Sequence, residues 1–296
     1  MIALRAPATL AELRERHGGD LRSEARPSGA AEDARVTHVS RVEDAESGAI
    51  APVLASRFIE AAVRAHARGA VLLVDASLAG DPRLKARAGW VHPAASWALA
   101  ELLDACDAPE TPATYGEGTS LGPNVVLGPR VRIGARVRIE ANTVIGRPGF
   151  GWAFQRADVR AIPQLGGVII EDDVTIGPLC TIDAGTLAPT RIRRGAKLDA
   201  QVHVGHNGDV GEGCIVAAQS GFAGSVVLGP GVLVGGQVGI ADHVRVGAGA
   251  RIAAKSGVIG DVPEGAVVAG YPAVPRGRWL RGLARLYRDL PRRKST

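Results

Sequence analysis

VHVGHNGDVGEGCIVAAQSGFAGSVVLGPGVLVGGQVGIADHVRVGAGARIAAKSGVIG, residues 202–260, carries an apolar side chain at every sixth position. Val204, Val210, Val216, Phe222, Leu228, Val234, Ile240, Val246, Ile252 and Val258 keep step without a slip, and Ile192 and Leu198 precede them in phase. The same beat runs through Leu121, Leu127, Ile133, Ile139 and Ile145, then through Ile170, Ile176 and Ile182. The residue after each apolar one is usually Gly, Ala, Asp or Glu. Such a period predicts a parallel β-helix of hexapeptide repeats, in which the aliphatic residue fills the interior and the small residue permits a corner. Three hexads make one triangular coil, and successive coils stack at the strand spacing of ~4.8 Å. Cys180 and Cys214 fall at the fifth position of a hexad, where they read as core filler.

Two irregularities break the beat. Between Ile182 and Ile192 the spacing is four residues longer than a hexad. Between Ile145 and Ile170 lies GRPGFGWAFQRADVRAIPQLGG, expected to leave the prism as a loop over 147–167. Long loops inside regular repeats commonly carry function. Phe150 and Trp152 in this one are either functional or pin the loop to the wall.

Outside the repeats the texture differs. Residues 1–112 read as an α/β domain. Thr9 and Glu12 form a capping box that opens a helix. SRFIEAAVRAHAR, from Ser56, is a second helix stopped by Gly69; AVLLVD is a buried strand, and AASWALAELLDAC, 94–106, a third helix. DAPETPATYGEGT is a linker into the repeats, which occupy 113–266. In the remainder, 267–296, Trp279, Leu283, Leu286 and Leu290 recur at helical spacing with Arg278, Arg281, Arg285 and Arg288 between them. Either a helix packs on the prism with solvated arginines, or a basic surface docks an acidic macromolecule. Nucleic acid fits poorly, since no aromatic platform or recognition motif accompanies the arginines.

Composition agrees with this division. Hydrophobic residues make up 46% of the chain but aromatics only 4%, with 39 glycines, which suits many corners around a core of small branched side chains. No apolar run approaches the ~18 residues of a membrane span, and the first residues are charged too early for a signal peptide. A cytoplasmic protein is expected, with at most peripheral membrane contact. Three scattered cysteines argue against a disulfide framework or zinc knuckle. The net charge of +5 favours acidic partners.

Against this packing sequence His206 stands out. The third residue of a hexad points outward, and with no indel between 204 and 227 the residue one coil above His206 is Gly224. A histidine beside a bare amide donor ~5 Å further along makes an acyl-transfer site. The imidazole acts as general base and the Gly224 N–H holds the oxyanion. A prism face is flat, so a second subunit must close the cleft, and a homotrimer is expected. His243, two coils and one residue away, could line the same groove or be a surface histidine. His17, His38, His66 and His92 carry no partner pattern and read as structural. Two other classes are weaker: a zinc trio of His203, His206 and His243 like that of the γ-class carbonic anhydrases, whose face pattern this spacing does not reproduce, and a silent trimeric scaffold.

PGFGWAF, IPQLGGVIIEDDVTIG, TIDAGTL, KLDAQVHVGHN, GFAGS, GGQVGIADHVRVG and AGYPAVPRGRW together resemble the UDP-3-O-acylglucosamine N-acyltransferases of lipid A biosynthesis. The resemblance extends to ATLAELRERHGGDL and VSRVEDAESGAI near the start. The His206–Asn207 pair is its most specific mark, since the related O-acyltransferases carry His-Asp there. It implies a left-handed helix, and transfer of a 3-hydroxyacyl chain from acyl carrier protein to the 2-amino group of a UDP-3-O-acyl-glucosamine, with no bound cofactor or metal. His206 matches the general base and Gly224 the backbone donor; Asn207 and His243 match auxiliary positions. Asp199 matches a substrate-side aspartate, and Phe150, Trp152 and Gln164 fall in the loop that resembles the substrate-binding one. An acidic carrier protein would give the C-terminal arginines a partner. Departures are Ala200 after Leu198–Asp199 where the family reads LDN, Pro148 in place of an acid, and APVLASRF where a uracil-contacting SFLxNPKY is usual. These departures leave open a paralogue that acylates another nucleotide-linked amino sugar.

Overall fold

The computed structural model describes residues 1–22, 33–85, 89–271 and 276–288. The apolar beat folds as three parallel sheets of short strands wound into a prism. One sheet stacks Val126–Leu127, Val144–Arg147, Thr181–Asp183, His203–Val204, Gly221–Phe222, Gly239–Ile240 and Gly257–Val258. The second runs from Thr114–Tyr115 to Arg245–Val246, and the third from Ser120–Leu121 to Val267–Val268. The last rung therefore reaches two residues into the segment expected to be helical. Register follows the period: His203 pairs with Gly221 and Gly221 with Gly239, eighteen residues apart each time.

The interior is the column of sixth-position side chains, buried from Ile133 through Val258. Leu121 is 39% exposed because its rung closes one end of the stack. Cys180 and Cys214 are buried in that column as expected, and burial pushes the Cys180 thiol up to about 11, where it is inert. The corners need left-handed backbone, and side chains able to bond locally supply it. Gln201, Gln219 and Gln237 take φ near 60° at one corner, and their amides bond to one another in a column at 2.8 and 2.6 Å. Asn207, Ser225 and His243 take φ of 59–63° at another.

The first domain is a seven-stranded sheet. Arg35–Val39, Ala49–Val53, Val71–Asp75 and Gly89–His92 are parallel neighbours, with antiparallel strands at both edges. The Thr9–Glu12 capping box opens the helix Leu10–His17. Ser56–Phe58 forms a 3₁₀ turn ahead of the helix Ile59–Ala67, and Gly69 follows it at φ 92°.

The 147–167 segment is not an irregular loop. It folds as a β-hairpin, Trp152–Gln155 against Asp158–Ala161. Arg160 fastens the hairpin to the helix Ala95–Asp104 by ion pairs with Glu101 (3.1 Å) and Asp104 (2.5 Å), its guanidinium lying over the Trp97 ring. The C-terminal helix is Arg276–Arg288; of its described apolar side chains Leu280, Leu286 and Tyr287 are exposed and Leu283 is half-buried. The Trp279 side chain and Leu290 lie outside the described residues.

Candidate active site

The ladder fixes His206. Val204 pairs with Phe222, so two residues further along Gly224 lies on the rung above His206, as the period requires. A Cβ on Gly224 would sit 2.6 Å from His206 Cε1 and 2.7 Å from Nε2. A Cβ on Gly149 would sit 2.5 Å from His206 Cβ, and one on Gly151 3.8 Å from Nε2. Thus the base of the hairpin and the next rung each give up a side chain so that a half-buried imidazole fits between them. Ala223 N–H bonds to the Ile240 carbonyl and Ser225 N–H to the His206 carbonyl. Between them the Gly224 N–H has no partner among the described residues.

Behind the ring runs a chain of hydrogen bonds. Asn207 Nδ2 lies 2.8 Å from His206 Nδ1 and 3.1 Å from Thr186 Oγ1. Thr186 N–H donates to Asn207 Oδ1 at 2.7 Å, and its hydroxyl donates to Gln164 Oε1 at 2.8 Å. A backbone N–H can only donate, so it fixes the amide: Oδ1 faces Thr186 and the NH₂ faces the imidazole. In its neutral form the ring therefore accepts at Nδ1 and carries its hydrogen on Nε2, toward Gly151 and Gly224. Thr186 lies in the over-long stretch between Ile182 and Ile192, so the insertion is what holds Asn207.

The electrostatics keep the ring neutral. Burial lowers the His206 pKa below its usual value; Asp183 pulls it back up and His203 adds to the lowering. Asp183 is 1% exposed. Its Oδ1 lies 2.8 Å from Arg147 Nε without the alignment of a hydrogen bond, and Oδ2 accepts from Arg147 Nη2 at 3.3 Å. His203, one rung up, places Nε2 3.9 Å from Oδ2 and bonds Thr181 Oγ1 through Nδ1 at 2.7 Å. Burial raises the Asp183 carboxyl above the ordinary range against the pull of His203, Arg147 and His206.

The other expected site residues divide. His243 stands at the same corner, with Phe58 of the first domain edge-on to it at 6.3 Å and the Arg57 guanidinium 5.0 Å above the Phe58 ring. Burial, then Arg57, lowers its pKa. The APVLASRF segment thus reaches the prism here. Phe150 and Trp152 flank the glycines that touch His206; both are exposed and meet edge-to-face at 5.9 Å. Gln164 is buried with both ends of its amide bonded, a support for Thr186 rather than a surface contact. Asp199 is exposed and follows the strand Lys197–Leu198, which belongs to a different sheet from His203–Val204. Asp183, Arg147, Thr186, Arg57 and Phe58 were missed by sequence reasoning. A polar residue straight after an inward isoleucine, as in TIDAG, was the available signal for Asp183. His203, His206 and His243 do not converge; among the described residues no group of three or more His, Cys, Asp or Glu is placed to hold a metal ion. Nor, among them, is any helix long and apolar enough to cross a membrane.

Comparison with known proteins agrees with the repeat. Residues 116–147 match the bacterial transferase hexapeptide (six repeats) family. A UDP-3-O-acylglucosamine N-acyltransferase of Geobacter sp. (strain M21) is 57% identical over 154 residues, 52% of this chain and 44% of that protein. The protein of that name from Syntrophus aciditrophicus (strain SB) is 56% identical over 148 residues, 50% of this chain and 41% of that protein. The match thus spans less than half the length of these relatives. Among solved structures, the UDP-N-acetylglucosamine acyltransferase of Francisella novicida covers 58% of this chain and 63% of its own at 26% identity, with a TM-score of 0.49. By its repeats and over about half its length, the chain is similar to the hexapeptide-repeat acyltransferases.

Proposed function

We propose that the protein is an N-acyltransferase that moves a 3-hydroxyacyl chain from acyl carrier protein to the 2-amino group of a UDP-3-O-acyl-glucosamine. The observation that carries this reading is the imidazole of His206 packed against Gly224, whose N–H is left unspent on the adjacent rung. His206 Nε2 takes a proton from the sugar ammonium, and the free amine attacks the thioester carbonyl. The oxyanion of the tetrahedral intermediate is held by Gly224 N–H. As the C–S bond breaks, the imidazolium returns its proton to the departing thiolate, and the newly acylated nitrogen releases its one excess proton to solvent to leave the neutral amide. A ring kept neutral by burial suits the first step. Base action at Nε2 needs the ring hydrogen on Nδ1, so Asn207 must leave its resting orientation, giving up the bond from Thr186 N–H, and present Oδ1 to the ring. Phe58 and Arg57 offer an aromatic ring and a cation that suit a nucleotide, and Phe150 and Trp152 offer an apolar face to an acyl chain. The helix Arg276–Arg288 carries five arginines and no acid, which suits an acidic carrier protein. A second and third copy would close the open face.

The test is turnover of purified acyl carrier protein thioester with UDP-3-O-acyl-glucosamine, read by mass spectrometry of the sugar, beside other nucleotide-linked amino sugars. His206→Ala is expected to lose on the order of 10²–10⁴ in rate with the oligomer unchanged. Normal turnover by that variant refutes the role of His206. Acylation of another amino sugar alone selects the paralogue.

A further inference from the structure

We infer that Asp183 is a positioning residue of the His206 base, its buried carboxylate supplying, from the rung below, the counter-charge against which that imidazole gains and loses a proton. The inference rests on the reading of His206 as a proton acceptor given above.

The placement is set by the ladder. Thr181 pairs with His203 and Ile182 with Val204. Asp183 therefore lies beside Gly205, the residue just before His206. Ile182 points inward, so Asp183 points out onto the face that bears the site. A carboxylate on an outer face is ordinarily solvated; this one is 1% exposed. Burial of a charge is unfavourable unless it is paired and hydrogen-bonded. Here pairing is incomplete. Arg147 approaches both oxygens but donates in line to one, and His203 Nε2 stands at 3.9 Å, short of a hydrogen bond. No substrate can reach the group, so it acts through its neighbours. Asp183 faces three groups that carry or can carry positive charge, Arg147, His203 and His206. Of these His206 is the one packed against the glycines of the site.

Charge balance gives this arrangement a use. When the sugar ammonium passes a proton to Nε2, a positive charge appears in a half-buried ring. An ionised Asp183 nearby favours that state, and by reciprocity an imidazolium favours the ionised Asp183. Asn207 cannot serve this purpose, because an amide carries no charge. His203 works in the opposite direction, as a second cation competing for one carboxylate. The proton crosses between the amine and His206, then from His206 to the thiolate; Asp183 forms no bond in either transfer.

The experiment follows the His206 ring by NMR across pH in the full chain without substrate, so it stands apart from any assay of acyl transfer. In Asp183→Asn the His206 midpoint is expected to fall by about one pH unit or more. In His203→Gln it is expected to rise. Opposite shifts are not what a loosened fold produces. Should the asparagine variant fail to fold, the carboxyl carbon resonance of Asp183 in the unsubstituted chain is expected to move at the pH where His206 titrates. An unchanged His206 midpoint in folded Asp183→Asn, or an Asp183 resonance indifferent to His206, overturns the inference. With the acyl substrates, the acid limb of kcat/KM is expected to move down in Asp183→Asn together with the NMR midpoint. Absence of turnover by the unsubstituted chain refutes the acyl-transfer reading alone and leaves the NMR outcome standing.

Discussion

Asn207 decides which nitrogen of the resting His206 ring carries the hydrogen, its amide being held there by a backbone donor that cannot change sign. An aspartate there would accept from Thr186 with one oxygen and from the ring Nδ1–H with the other, leaving Nε2 free as a base without any rotation. Asn207→Asp is therefore expected to keep or raise kcat. A new carboxylate against the ring also moves the acid limb of the pH profile up by about one unit or more, since it favours the imidazolium. Gly224→Ala makes the opposite point. Its methyl would land 2.6 Å from His206 Cε1, so the ring must move, and kcat is expected to fall about 10²-fold with thermal unfolding near that of the unsubstituted protein. The His206–Gly224 pairing was legible because the period places it. The partners of Asn207 and the carboxylate under the ring were not. Thr186 arrives through an insertion whose path no period sets, and the hexad pattern does not show that Asp183 is buried beside Arg147 and His203.

The hairpin is the element that turns a wall into a site. Its strands follow from Phe150, Trp152 and Phe154 alternating with Gly151 and Ala153, a two-residue period that the glycines and prolines around it concealed. Arg160 ties it to the helix Ala95–Asp104, so the first domain helps to hold Gly149 and Gly151 against His206. Arg160→Ala removes partly exposed ion pairs of at most about 1 kcal/mol, which corresponds to a rise of roughly fivefold in KM for the acceptor with kcat little changed. Steady-state kinetics at fixed donor concentration would read it. The C-terminal helix was legible as a helix, but not in its surroundings: arginine and leucine spacing gives the fold of the segment and says nothing of what lies against it.

For the molecule as a whole, the first domain has buried clusters of its own, while the prism rests on a single column of stacked side chains. Phe222 is the largest of them, and Phe222→Ala is expected to lose about 3–5 kcal/mol in denaturant unfolding. Acid acts through the histidines. His38, His206 and His243 all have pKa values lowered chiefly by burial. Below their unfolded value of about 6.5 the unfolded chain binds protons that the folded one resists, so the stability they contribute is whole above that pH and is lost as the pH falls through their folded values. Unfolding midpoints at about pH 7.5 and about pH 5.5 should differ in that direction.

The eighteen-residue register has an engineering corollary. Excising 229–246 would join Leu228 to Gly247 in place of Gly229, shortening the column by one storey while every remaining side chain keeps its facing direction. His206 and Gly224, lying below the cut, would stay neighbours, and of the candidate site residues only His243 with its link to Phe58 would go. Removing six or twelve residues instead would swing everything above the cut onto a different side of the triangle. Length in such a scaffold is quantised, and a gene that gains or loses material here keeps a working protein only in whole storeys.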